Sequence, residues 1–224
     1  MGNNYIGLFD VIGPIMVGPS SSHTSGAATI AWMASQIFSG TPVKVEFRLY
    51  GSFAETYKGH GTDRALIGGM LGFKSDDVRI RNAYKHAREK RLKVEFAVDK
   101  KTSVSHPNTV DIVITGEDGH TLLVRGESIG GGRVRIRRIN NIEVDFNGEY
   151  CTMIIAHQDV AGTVAYITRC LAEEAVNVAT LKLFREEKGK NQFTVVEADS
   201  SIPKEMKDKI LQYETVTSVD LIEI

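Results

Sequence analysis

From Tyr150 to Ile222 the chain runs strand, helix, strand, strand, helix, strand, and that order is the tightest constraint the sequence places on its fold. Tyr150 to Ala156 is a β-rich apolar run. Gly162 to Ala175 carries Val164, Ile167, Leu171 and Ala175 at helical spacing and stops before Asn177. Val178 to Arg185 and Gln192 to Glu197 read as strands around the turn Lys188-Gly189-Lys190-Asn191. Pro203, a favoured first-turn residue, opens a helix that runs to Tyr213, and Val216 to Ile222 closes the segment as a strand. The order βαββαβ predicts a ferredoxin-like arrangement.

The turn dipeptide Asn147-Gly148 lies just ahead of this segment, so the 224 residues divide into domains 1–147 and 148–224. The first domain is less regular. A helix after Gly18-Pro19 puts Ile30, Ala31, Ala34, Ile37 and Phe38 on one face. Val43 to Tyr50 alternates Val43, Val45, Phe47 and Leu49, the signature of a half-buried strand. A glycine-bounded helix follows over Thr62 to Leu71, and another is expected from Ser75 as its N-cap. Leu92 to Val98, Thr109 to Thr115, Leu122 to Arg125, Val134 to Ile139 and Ile142 to Phe146 read as strands. Helices first and strands later predict the α+β class.

Composition excludes several functions. With 42% apolar and 25% charged residues the chain can bury an ordinary globular core. A net charge of -1, with acids and bases mixed along the chain, offers no basic face to nucleic acid. The N-terminus has no basic segment followed by an apolar one, and no run of about 20 apolar residues occurs. A cytoplasmic protein with no membrane partner is expected. Cys151 and Cys170 are too few for a disulfide framework and lack metal-ligand spacing, so no metal site is expected on this chain. Nor does any phosphate-binding glycine pattern appear in a strand-turn-helix setting.

Three segments could carry chemistry. Ser20-Ser21-Ser22-His23-Thr24 precedes the first helix, where free backbone N–H groups favour an anion. Three hydroxyls exceed what one N-cap needs, although a cap by Ser22 or Thr24 is the plain alternative. Lys58-Gly59-His60-Gly61-Thr62-Asp63 leads into the next helix, and the flanking glycines leave the His60 ring accessible for proton transfer or for capping. His157-Gln158-Asp159-Val160-Ala161-Gly162 joins a strand to its helix, with Asn177 past the far end of that helix. This loop suits an amino-acid zwitterion, or simple capping by Asp159. His106-Pro107-Asn108 reads as an ordinary turn, and Gly130-Gly131-Gly132 as a tight bend between strands.

Taken in order, Phe9-Asp10-Val11-Ile12-Gly13-Pro14, Gly18 to Thr24, Gly59 to Asp63, His106-Pro107-Asn108 and Glu127-Ser128-Ile129-Gly130-Gly131-Gly132 resemble the β chain of bacterial iron-sulfur-dependent L-serine dehydratases. The resemblance covers essentially the whole chain. It implies a serine dehydratase β domain, an α/β sandwich like the allosteric substrate-binding domain of some phosphoglycerate dehydrogenases, followed by a ferredoxin-like ACT domain. In that family L-serine loses water and yields pyruvate and ammonia with a [4Fe-4S] cluster and no pyridoxal phosphate. Because this chain lacks the three thiolates such a cluster needs, the resemblance places the cluster on a separate α chain.

The resemblance also assigns roles. His60 and His23 match active-site histidines, and Ser20, Ser21, Ser22 and Thr24 match the loop that faces L-serine. His157, Asp159, Gly162 and Asn177 match the effector loop of serine-binding ACT domains, with Asp159 in place of a neutral asparagine. A homodimer through the ACT domain is implied as well. Two functions stay open at this point. The chain either completes the active site of the dehydratase or is a purely regulatory amino-acid-binding subunit without catalytic residues, and an isolated amino-acid sensor is a third reading.

Overall fold

A computed structural model describes residues 15–223, so the Phe9 to Pro14 motif lies outside the described residues. By their contacts the residues form two compact units. Among the described residues one takes 15–35 with 40–136, the other 36–39 with 137–223. Helices and strands mix in both, as the α+β class requires.

The first unit is organised by strands β1 (Pro42–Tyr50), β2 (Lys93–Asp99), β3 (Thr109–Gly116), β4 (Thr121–Gly130) and β5 (Arg133–Ile139). With β6 (Ile142–Phe146) they line up in the order β2-β1-β3-β4-β5-β6, and the unit boundary falls inside β5. β1 runs parallel to β2 and antiparallel to β3. The alternation read from the sequence holds: Val45, Phe47 and Leu49 are fully buried, with Val110, Ile112 and Ile114 of β3 beside them. Each such side chain contributes roughly 1.5–3 kcal/mol on leaving water.

Helices fill the interval between β1 and β2. A π-helical turn, Ser21–Gly26, leads into α1 (Ala27–Ile37). After β1 come α2 (Gly51–Thr56), α3 (Thr62–Met70), a 3₁₀ turn at Val78–Asn82 and α4 (Ala83–Glu89). Their inward residues Ile30, Met33, Phe53, Leu66 and Ile67 are fully buried. Two expectations are corrected. The helix expected from Ser75 begins instead at Asp77, whose carboxylate accepts from the Arg79 N–H. The carbonyl of Ser75 is occupied by Val17 N–H at 2.8 Å, which holds Ser75 in the preceding loop. The second concerns β4, which continues through Glu127 and Ser128 to Gly130 instead of stopping at Arg125.

The second unit has β7 (Cys151–Gln158), α5 (Thr163–Glu173), β8 (Val178–Arg185), β9 (Asn191–Ala198), α6 (Glu205–Leu211) and β10 (Val216–Ile222). This is the predicted βαββαβ sequence. The strands form an antiparallel sheet in the order β10-β7-β9-β8, as a ferredoxin-like fold requires. Met153 and Ile155 of β7, Val196 of β9 and Val219 of β10 pack with Ile167 and Leu171 of α5 and Met206 and Ile210 of α6. Cys170 is buried in that cluster, and Cys151 packs against it; both thiols are free.

Close helix packing in the first unit depends on Gly69 of α3. A Cβ there would lie 2.2 Å from the carbonyl oxygen of Ala28 and 2.8 Å from the Trp32 nitrogen, both backbone atoms of α1 that cannot step aside. Gly69→Ala is therefore expected to destabilise the first unit by about 3 kcal/mol, the upper range for overpacking. At Gly68 the added methyl meets only the Ile80 side chain, and the helix propensity gained offsets part of the crowding. Gly68→Ala should stay within about 1 kcal/mol of wild type. Urea unfolding followed through Trp32, the single tryptophan, compares the two.

Candidate active site

The π-helical turn and the loop before α3 bring the two predicted histidines together. Their imidazoles lie 4.7 Å apart between centroids, at an interplanar angle of 45°. Local sequence explains each loop. Ser20, not Ser22 or Thr24, is the N-cap, and its hydroxyl accepts from the His23 N–H at 3.2 Å. Ser21 opens the turn. Gly61 takes a left-handed conformation (φ 68°) at the N-terminus of α3, where an L side chain would be strained. The Thr24 hydroxyl, itself buried, donates to the His60 carbonyl at 3.0 Å and fastens the two loops.

His23 has a partner on both ring nitrogens. Nδ1 faces the hydroxyls of Ser22 at 3.2 Å and Ser20 at 3.4 Å, and Nε2 faces Ser52 Oγ at 3.0 Å. Phe53 packs edge-on against the ring. Burial and then the neighbouring His60 push the His23 pKa below its usual value, while a hydrogen bond to the Ser52 backbone opposes them. At neutral pH His23 is an uncharged imidazole that can accept or donate a proton.

His60 also faces a cavity of about 410 Å³ lined by Gly18, Pro19, Thr24, Lys58, Arg64 and Arg81 among others. Among the described residues the lining carries three cations and no carboxylate. None of the three is in an ion pair among the described residues, and only Lys58 leans on a ring, that of Tyr57. The cavity thus presents uncompensated positive charge beside an imidazole, a setting for a small anion.

Four buried polar atoms near this site lack a hydrogen-bond partner among the described residues: His60 Nδ1, Thr62 Oγ1, Asn108 Oδ1 and Ser128 Oγ. Each such atom costs about 1–3 kcal/mol, and functional sites are where such costs are tolerated. Asn108 and Ser128 join the site through the backbone. Ser128 N–H donates to the Asn108 carbonyl, and Ser128 Oγ abuts Gly26 of the π-helical turn. Sequence reading passed over Ser52, Arg64, Arg81 and Ser128. Arg64 lies four residues beyond His60, in the first turn of α3, whereas Arg81, Ser52 and Ser128 arrive from other elements.

The second predicted cluster is dispersed. His157 is buried in β7, with Nδ1 on the Gln158 carbonyl at 2.7 Å and Nε2 on the Thr194 hydroxyl at 2.8 Å. Asp159 does not cap α5. Its carboxylate accepts from the Gly189 N–H at 3.0 Å and from Arg185 at 3.3 Å, and the Gly189 bond is the main reason its pKa is lowered. Gly162 occupies the N-cap of α5 in a left-handed conformation. Asn177, bonded to Asp199, follows the other end of this 11-residue helix, about 16 Å away along its axis.

A [4Fe-4S] cluster does not fit this chain. It has two cysteines, one in a hydrophobic core, and among the described residues no group of three or more His, Cys, Asp or Glu converges on a point. No helix of the described residues is long and apolar enough to cross a membrane.

A histidine pair at a cation-lined cavity, built on a mixed sheet and followed by a βαββαβ unit, makes a candidate small-molecule site in an α+β protein, and comparison with known proteins gives the family. Residues 7–139 match the family described as serine dehydratase beta chain. The chain is 41% identical over 216 residues to the L-serine dehydratase beta chain of Peptoniphilus asaccharolyticus, covering 96% of this chain and 97% of that one. It is 40% identical over 218 residues to the probable L-serine dehydratase beta chain of Bacillus subtilis, covering 97% and 98% respectively. D-3-phosphoglycerate dehydrogenase of Bacillus subtilis shares 26% identity over 199 residues, which is 88% of this chain but 37% of that enzyme. The chain belongs to the serine dehydratase beta chain family.

The lowered pKa of His23 has a consequence for stability. The unfolded chain takes up this proton near 6.5, the folded chain only at lower pH, so the neutral ring stabilises the fold above pH 6.5 and that contribution is lost as pH falls below it. His23→Gln is expected to reduce the decline in urea midpoint between about pH 7 and pH 5. An unchanged pH slope in the variant would refute the assignment.

Proposed function

We propose that this chain is the β subunit of a two-chain L-serine dehydratase that converts L-serine to pyruvate and ammonia, with a [4Fe-4S] cluster carried by a separate α chain. In this reading residues 1–147 form the serine dehydratase β domain and complete the active site, and residues 148–224 form an amino-acid-responsive ACT domain. The observation that carries it is the His23–His60 pair beside a cavity with three uncompensated cations.

Each part of the site has a task in this reading. Lys58, Arg64 and Arg81 supply charge for the substrate carboxylate. His60, open to the cavity, exchanges the Cα proton, or positions the group that does. His23, neutral at working pH, supports His60, and the loop of Ser20, Ser21, Ser22 and Thr24 that carries it faces the substrate. Buried polar atoms of Thr62, Asn108 and Ser128 provide further hydrogen-bonding capacity once a ligand or the α chain closes over them.

A second reading, a regulatory subunit with no catalytic residue, is favoured by one observation. Nearly the same length of chain matches part of a D-3-phosphoglycerate dehydrogenase, a protein named for different chemistry. The site residues of the ACT domain also constrain effector binding. Gly162 and Asn177 sit at opposite ends of α5, so one small effector can reach both only if a second copy of the chain supplies one of them. A homodimer through residues 148–224, placing Asn177 of one copy beside His157, Asp159 and Gly162 of the other, answers that requirement.

Pyruvate formation by purified α chain is expected to require this chain, and His60→Ala in the assembled enzyme to lower kcat by about 10² to 10⁴, far beyond the roughly fivefold loss of one ordinary hydrogen bond. Full activity of the α chain alone would establish the regulatory reading. Millimolar L-serine is expected to raise the thermal midpoint of the isolated chain, as any ligand specific to the folded state does, and Asp159→Asn should alter that shift. A midpoint that responds to other amino acids and not to L-serine would remove serine as the effector.

A further inference from the structure

β1 ends at Tyr50 and α2 begins at Gly51 with no linker between them. The turn is possible because Gly51 takes φ +50°, and a Cβ there would lie 2.5 Å from the Pro107 carbonyl oxygen. That same carbonyl accepts from the Ser52 N–H at 2.7 Å. The backbone of Ser52 is thus pinned from two sides, and its hydroxyl lies 3.0 Å from Nε2 of His23.

We infer that Ser52 is the positioning residue of His23: held by the strand-to-helix junction and by the Pro107 carbonyl, its hydroxyl fixes the rotation of the imidazole and keeps the ring in the Nε2–H tautomer. The hydrogen count accommodates this tautomer. Ser20 Oγ already accepts from the His23 backbone N–H, which leaves its own hydrogen free for Nδ1, and Ser22 faces the same nitrogen. Nδ1 is then the acceptor, Nε2–H donates to Ser52 Oγ, and the Ser52 hydrogen remains free to bond elsewhere. A hydroxyl that accepts from Nε2–H at 3.0 Å also favours the protonated ring, so its removal should lower the titration midpoint.

A serine 3.0 Å from an imidazole is also the geometry of an activated nucleophile. Two features speak for positioning instead. Nδ1 faces two hydroxyls where a nucleophile's base would have a carboxylate to orient it, and the Ser52 N–H is occupied by Pro107, so it cannot serve an oxyanion. The inference rests on the reading that the His23–His60 pair is the reactive centre, and its test is chosen to be independent of that reading.

Nitrogen NMR of the full chain with labelled histidine reports both tautomer and titration of His23, assigned with His23→Gln. In wild type His23 should be the Nε2–H tautomer. In Ser52→Ala the resonances should average between tautomers and the titration midpoint should move to lower pH, while Ser52→Thr restores both. In the assembled enzyme Ser52→Ala should lower kcat by about 10- to 100-fold, the usual cost of losing the group that orients an imidazole, with KM within about twofold. A Ser52→Ala chain whose His23 keeps the wild-type tautomer and midpoint overturns the inference whether or not the chain serves a dehydratase. So does a raised KM at unchanged kcat, which would make Ser52 a substrate-binding group, and so does covalent labelling of Ser52 by a fluorophosphonate. Altered resonances with full kcat would uphold the positioning role and instead remove His23 from the reactive centre.

Discussion

The hydrogen bond from the Thr24 hydroxyl to the carbonyl of His60 joins two loops 36 residues apart, and the site exists because that bond can form. Its geometry depends on how closely α3 approaches α1. Gly69 lets α3 sit against the backbone at Ala28 and Trp32, a distance that any side chain would increase. Were the helices further apart, the Thr24 hydroxyl could not span to His60, and the two imidazoles would lose their 4.7 Å separation. Helix packing thereby sets side-chain geometry, and side-chain geometry sets the protonation of His23.

The two units differ in how their polar groups are satisfied. In the second, His157 and Thr194 bond to each other inside the sheet, and the Asp159 carboxylate is occupied by the Gly189 turn and Arg185. Such closed pairings stabilise a fold and leave little for a ligand to gain. In the first unit, uncompensated cations and unpaired polar atoms gather around one imidazole pair. Stability given up there is the usual mark of a site shaped for something other than folding.

Regular elements were legible in the sequence because their signals are local. The alternation of Val45, Phe47 and Leu49 and the helical spacing of Ile167 and Leu171 each report burial through their own neighbours. The same holds for His23 and His60, whose flanking serines and glycines announce unusual backbone. What stayed hidden depends on contacts across the chain. Gly51 to Thr56 carries no cap and is too short for a periodic pattern, so neither α2 nor Ser52 could be read. Ser128 passed for part of a glycine bend because its burial depends on Gly26, about a hundred positions earlier. Asp159 suits a helix cap as well as a ligand contact by sequence, yet the hairpin turn at Gly189 competes for the same carboxylate and wins.

The pairing of β1 with β3 has a consequence for how the protein is made. β1 is complete at Tyr50, but its antiparallel neighbour begins at Thr109 and the strand that carries Ser128 comes later still. On the ribosome, at about 5–20 residues per second, the first half of the site therefore emerges seconds before the segments that cover it. During that interval the apolar side of β1 has only nearby helices and β2 to shelter it.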